Sequence, residues 1–178
     1  MITITKILGN IKKDSLLDQK YRELFEKNLV ENVMIRRSES EKVRMRKTSN
    51  KGTDIGFILP PGTRLKDQDI VFLDDKKMIM VKLSTELVAV ISFKSQSFYN
   101  DQNQNYFNLI KIAIKIGHTI GNLHRPLKLE ENKIIFPIQT IDEINLFQKL
   151  LVDVKDHINI TFDEMIFEPE QGFDIHEH

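Results

Sequence analysis

The chain has 178 residues, enough for one ordinary domain or two small ones, and its 26 lysines and arginines balance its 26 aspartates and glutamates. A formal net charge of zero excludes a global field that would draw the protein to nucleic acid or to an anionic membrane. The lack of cysteine excludes disulfides, thiolate nucleophiles and thiolate-rich zinc sites, and leaves imidazole and carboxylate as the metal donors.

Residues 2–8 alternate apolar and polar and read as a strand. They lack the basic start and longer apolar block of a signal peptide, and no apolar run approaches the ~18 residues of a membrane span. A soluble, cytoplasmic protein is therefore expected. After Gly9-Asn10, Leu16, Leu17, Tyr21, Leu24 and Phe25 suggest a short helix or packed loop, and residues 30–37 a strand. Residues 43–48 and 53–59 flank Ser49-Asn50-Lys51-Gly52, whose asparagine and glycine favour a hairpin turn. Residues 70–73 and 78–83 flank Asp74-Asp75-Lys76-Lys77 in the same manner, completing an N-terminal all-β unit over residues 1–84.

The second half changes character. A strand at 87–93 leads through the polar segment 95–105 into a helix ending near Leu123. Its buried face is predicted from the three- and four-residue steps of Tyr106, Leu109, Ile110, Ala113, Ile116, Gly117 and Ile120. Strands at 127–130 and 133–138 turn at Glu131-Asn132. Thr140 and Glu143 then form a capping box opening a second helix, with Ile141, Ile144, Phe147, Leu150, Leu151, Val154 and Ile158 on its apolar face. A last strand at 160–167 completes the order β-α-β-β-α-β of a ferredoxin-like unit over residues 85–167. The fold class is thus α+β in two domains, and residues 168–178 read as a mobile tail.

The run Gly117-His118-Thr119-Ile120-Gly121-Asn122-Leu123-His124-Arg125-Pro126 carries the chemistry. Gly121 and Asn122 are expected to take the left-handed backbone of a helix C-cap, and Pro126 forbids the helix to resume. His124 is thereby fixed on rigid structure at an element boundary. It has two readings: a cap beside the negative end of the helix, or a metal donor. One histidine cannot hold a metal, which normally takes four to six donors, but a two-fold axis beside it would supply two. The tail could add His176 and His178. His118 and His157, on or near helix ends, read as packing or capping residues. No water-activating triad of ligands, nucleophile–base pair or phosphate-binding glycine loop is visible, so carriage is expected rather than catalysis. Arg36, Arg44, Arg46 and Lys47, in or beside strands, with Met34, Met45, Met78 and Met80, read as a solvated sheet face or as a protein-docking surface.

Gly121-Asn122-Leu123-His124-Arg125-Pro126 is similar to the Gly-Asn-Arg-His-x-Pro motif of the UreE-type urease accessory proteins, the nickel metallochaperones. Upstream, Arg46-Lys47-Thr48, Gly52, Asp54, Gly56, Leu59, Gly62, Leu65, Asp69 and Ile70 resemble that family's N-terminal hairpin pattern. The resemblance implies a peptide-binding-like N-terminal unit and a C-terminal unit that dimerises around His124 as metal ligand. It also implies Ni²⁺ as cargo, with Zn²⁺ or Cu²⁺ able to bind in vitro. The implied partners are apo-urease and an accessory GTPase. Leu123 stands where the family commonly has arginine, and Gln68 where it commonly has glycine. A non-metal scaffold, with His124 as a mere cap, is the rival reading.

Overall fold

The computed structural model describes residues 1–94 and 102–169, with residues 102–107 by backbone alone. The chain is α+β and falls into two compact units that part between Ser84 and Thr85.

The first unit holds β1 (Ile2–Ile4), β2 (Gly9–Asn10), α1 (Ser15–Glu26), β3 (Val30–Ile35), β4 (Arg44–Thr48), β5 (Asp54–Ile58), β6 (Asp69–Leu73) and β7 (Met78–Leu83). These strands form two sheets, ordered β1-β5-β4 and β2-β6-β7-β3. The β4–β5 hairpin turns where its sequence asks it to, with Gly52 at φ 85°, a backbone that glycine adopts without a steric cost. The unit is not all-β. Asp14 caps α1 by accepting from the N–H groups of Leu16 at 2.9 Å and Leu17 at 3.2 Å, and a 12-residue helix follows. Its Leu24, with Leu17 and Tyr21 beside it, packs on Val30, Ile70, Met78 and Met80. Met78 and Met80 are therefore core residues, and only Met34 of the four methionines considered for docking is exposed.

The second unit holds β8 (Glu86–Phe93), α2 (Gln102–Asn122), β9 (Lys128–Glu130), β10 (Lys133–Pro137), α3 (Asp142–Leu150) and β11 (Ile158–Met165). Its sheet is antiparallel in the order β11-β8-β10-β9. Because side chains alternate across a strand, Ala89 and Ile91 face the helices while Val88 and Val90 face the opposite side. On the helix side, Ile112, Ile116 and Ile120 of α2 and Phe147 of α3 close over Phe136 and Ile158. The Phe136 and Phe147 rings stand 4.7 Å apart between centroids. Each such side chain, when fully buried, contributes about 1.5–3 kcal/mol. On the other side Phe167 packs with Val88 and Ile135. The last strand is thus displaced toward the N-terminus from its expected span, and Phe167 lies beyond it as a cover for the sheet.

Three expectations for this unit change. The buried stripe of α2 runs through Ile112, Ile116 and Ile120, whereas Ile110, Ala113 and Gly117 are exposed, and the side chain of Tyr106 lies outside the described residues. On α3, Ile141 is 74% exposed and Leu150 is exposed as well. Thr140 does not cap α3. Glu143 instead accepts from the backbone N–H of Gln139 at 3.0 Å, one residue further back, because its other oxygen is held by Arg125. Among the described residues no helix is long and apolar enough to cross a membrane.

Candidate functional site

The site begins with the end of α2. The N–H of Arg125 donates to the carbonyl of Ile120 at 3.3 Å, and that of His124 to the carbonyl of Gly121 at 2.9 Å. This nested pair is the Schellman closure, which satisfies carbonyls that the helix leaves without partners. Its geometry places the left-handed residue at His124, with φ 51°, and not at Gly121 or Asn122, which stay helical. Left-handed backbone costs a residue with a Cβ about 1–2 kcal/mol. The histidine thus occupies the position at which glycine is usually found, and its side chain is exposed.

The flank after His124 is held too. Arg125 Nη2 donates to Glu143 Oε1 at 2.7 Å, and the two side chains are only 16% and 18% exposed. Arg125 Nε is buried with no hydrogen-bond acceptor among the described residues. Glu143, through its second bond to Gln139, fixes the link between β10 and α3. Pro126 follows at once and restricts the backbone of Arg125.

Register shows what else lies at this end. Met165, the last residue of β11, pairs with Glu86, the first of β8, and Pro137 at the end of β10 pairs with Val88. β9 begins with Lys128 opposite Ile135, so the chain between α2 and β9 enters the sheet from this same end. His124 and the departure of the chain beyond β11 therefore share one end of the sheet. His176 and His178 lie outside the described residues.

The other histidines are placed apart from this cap in role. His118 sits on α2, 3.3 Å from the side-chain amide of Asn122 four residues on. His157 lies just before β11, and its carbonyl accepts from the N–H of Lys94 at 2.9 Å. Among the described residues no three histidines, aspartates and glutamates gather as a metal would require. His124 can be one donor of a set, with the others supplied from elsewhere.

Of the four basic residues considered for docking, Arg36 and Lys47 both meet Glu39, while Arg46 meets Asp54. Arg44 and Arg46 are exposed along the same face of β4, while Lys47 turns to the other face and meets Glu39 at 2.6 Å. Arg36 is exposed before the turn Arg37–Glu39, where its N–H donates to Glu39 Oε2 at 3.0 Å. The bond from Lys47, and then that from Arg36, hold the Glu39 carboxyl below its usual range. Arg46 forks onto Asp54 at 2.8 and 3.0 Å, which lowers the Asp54 carboxyl and raises the guanidinium. Arg46, Lys47, Thr48 and Asp54 line an open depression at this edge.

The Arg125–Glu143 bond is the feature that sequence reading missed, since Glu143 carried a ready explanation as half of a capping box. Its only signal was an arginine directly after the cap histidine.

A β-rich unit is thus joined to an α+β unit that presents an exposed, rigidly held histidine at the end of α2. Residues 4–84 match the family described as UreE urease accessory protein, N-terminal domain. The urease accessory protein UreE of Yersinia kristensenii is 30% identical over 138 residues, which cover 78% of this chain and 58% of the relative. That of Yersinia bercovieri is 29% identical over 140 residues, again 78% of this chain and 58% of the relative. The first unit thus carries the N-terminal domain of the UreE family of urease accessory proteins, and the chain is similar to members of that family over 78% of its length. The aligned stretch spans a little under three fifths of the length of these relatives.

Proposed function

We propose that this chain is a nickel metallochaperone that carries Ni²⁺ to apo-urease during assembly of its metallocentre, in the cytoplasm, together with the accessory GTPase. The observation that carries this reading is His124. A bulky side chain in a left-handed cap, anchored on both flanks and exposed, is costly for stability and useful for presenting a donor. In this reading residues 85–167 form a ferredoxin-like metal-binding and dimerisation domain, supported by the β-α-β-β-α-β order and the strand order β11-β8-β10-β9. Residues 1–84 form a peptide-binding-like domain, with Arg36, Arg44, Arg46 and Lys47 available to protein partners.

A homodimer supplies the donors that one chain lacks. Ile110, Ile114, Gly117 and Gly121 recur at helical spacing along an exposed face of α2, and Ile114 is 64% exposed. A Cβ added to either glycine would meet nothing within 4 Å, so the backbone is open to a second helix there. This stripe runs toward the cap, and symmetry across it would bring two copies of His124 together. His176 and His178 complete the donor set. The chain beyond β11 departs from the end of the sheet where His124 lies, and the seven residue steps from Pro169 to His176 reach at most about 25 Å. Imidazoles of this kind suit Ni²⁺ and also accept Zn²⁺ or Cu²⁺.

Calorimetric titration of Ni²⁺ into the wild type, His124→Ala and the double variant His176→Ala/His178→Ala tests the reading. One ion per dimer, loss of tight binding in His124→Ala and weaker binding in the double variant are expected. Equal affinity in wild type and His124→Ala would overturn it.

A further inference from the structure

We infer that Arg125, acting through Glu143, is a positioning residue for His124: the half-buried Arg125–Glu143 pair fixes the backbone immediately after the cap and so holds the imidazole in its presented orientation. The inference rests on the nickel reading of His124 only for its functional consequence; its geometric content stands by itself. Three observations carry it. His124 is in a left-handed conformation that a residue with a Cβ keeps only when its surroundings dictate it. The next residue is tied by a 2.7 Å bond to the first turn of α3, and the same carboxylate holds Gln139, so the anchor is itself anchored. The guanidinium also leaves Nε buried without an acceptor among the described residues. A largely buried ion pair with an unmade hydrogen bond is a poor device for stability, and an apolar side chain of similar length would serve the core better. What the pair provides is a fixed distance between the α2 cap and α3. A group that orients a metal ligand from behind typically changes affinity 10- to 100-fold when removed.

The test uses the full chain as wild type, Arg125→Met, Glu143→Ala, the two combined, and the conservative Arg125→Lys, with His124→Ala as reference. NMR scalar couplings of the His124 backbone report its φ directly and need no metal; Ni²⁺ titration reports the donor. In Arg125→Met and in Glu143→Ala, His124 is expected to leave its left-handed conformation for part of the population, and Ni²⁺ affinity to fall at least 10-fold while the domain stays folded. The double variant should be no worse than either single, as for two groups acting as one unit. Arg125→Lys should recover part of the affinity. Should Arg125→Met fail to fold, Glu143→Ala decides the matter. Wild-type couplings at His124 in both single variants would overturn the inference, as would a loss of melting temperature with unchanged affinity. If His124→Ala binds Ni²⁺ as well as the wild type, the metal reading falls, and the couplings still judge the positioning role.

Discussion

Lys77 Nζ lies 2.7 Å from Glu31 Oε1 and ties β7 to the neighbouring edge strand β3. The same ammonium donates to Thr53 Oγ1 at 2.9 Å, and the other carboxylate oxygen accepts from Ser49 Oγ at 2.5 Å. Ser49 and Thr53 flank the β4–β5 turn, so one ion pair holds the hairpin of one sheet against the edge of the other. Beside it the N–H of Asn32 donates to Asn50 Oδ1 at 2.8 Å and that of Asn50 to the Asn32 carbonyl at 2.9 Å. These bonds cover part of the outer edge of β3, which would otherwise invite pairing with another chain.

Removal of one partner should therefore be costly. Loss of one member of a fully buried pair costs about 3–5 kcal/mol, and because Lys77 is 31% exposed against 7% for Glu31, Lys77→Met should cost about 2 kcal/mol. Urea unfolding of the variant checks this, and an unchanged midpoint would show that the network contributes little.

Acid should act on the same pair. Burial pushes the Glu31 carboxyl up, but the bonds from Lys77, Ser49 and Thr53 together outweigh it and hold the group below its usual value of 4.5. A carboxyl lowered in the folded state stabilises fully above the unfolded value, and that contribution is lost as pH falls through the folded value. Stability should thus decline below about pH 4.5, and Glu39, lowered by Lys47 and then Arg36, adds in the same direction. Thermal melts from pH 6 to 3 should show a shallower decline in Glu31→Gln than in wild type. Parallel curves would remove Glu31 from the account.

Gln68 offers a gain in stability. It stands at φ 66°, a left-handed backbone that glycine adopts without a steric cost. Relief of about 1–2 kcal/mol of left-handed strain is partly offset by the greater freedom of glycine in the unfolded chain. Gln68→Gly should stabilise by about 0.5–1 kcal/mol in chemical denaturation, and a loss of stability would show that the Gln68 side chain contributes contacts of its own.

The parts of the fold that sequence made plain are those where turn chemistry and period agree. Ser49 to Gly52 between two alternating arms could only be a hairpin, and the β-α-β-β-α-β order of the second unit followed from periods switching between two and 3.6 residues. The phase of α2 was illegible for a physical reason. Isoleucines at 110, 112, 114, 116 and 120 fall on more than one face of the helix, so the period is clear while the choice of face is left to packing. The cap was misplaced because a left-handed residue is sought at Gly121 or Asn122, and nothing in the identity of His124 announces that it takes that backbone. The helix α1 was legible only in outline, since its Asp14 cap comes before a face carrying exposed Leu16 and Phe25.

The exposed stripe of α2 gives a test of assembly. Ile114 lies outside the core, so Ile114→Glu should leave the folding stability of the isolated chain within about 0.5 kcal/mol of wild type. If a second copy covers this face, the glutamate is buried without a partner and the dimer dissociates. Sedimentation velocity at micromolar concentration should show wild-type dimers and Ile114→Glu monomers, with weaker nickel binding in the variant. Dimers of both would place the interface elsewhere.

Substitutions at His124 can separate presentation of a ligand from stability. Alanine keeps a Cβ and therefore keeps the left-handed strain, whereas glycine relieves it and occupies the position that a Schellman cap favours. His124→Gly should then be more stable than wild type by about 0.5–1 kcal/mol, while His124→Ala should match wild type or fall slightly below it. Both should lose tight Ni²⁺ binding, because both lack the imidazole. Gln68→Gly serves as the control: it relieves the same kind of strain in the other unit and should bind Ni²⁺ as wild type does. Denaturation and nickel titration on these three variants give two independent orders, glycine above histidine for stability and histidine above glycine for metal. A His124→Gly variant that is both less stable and unchanged in nickel affinity would mean that the histidine serves the fold, and that the metal is held by other residues.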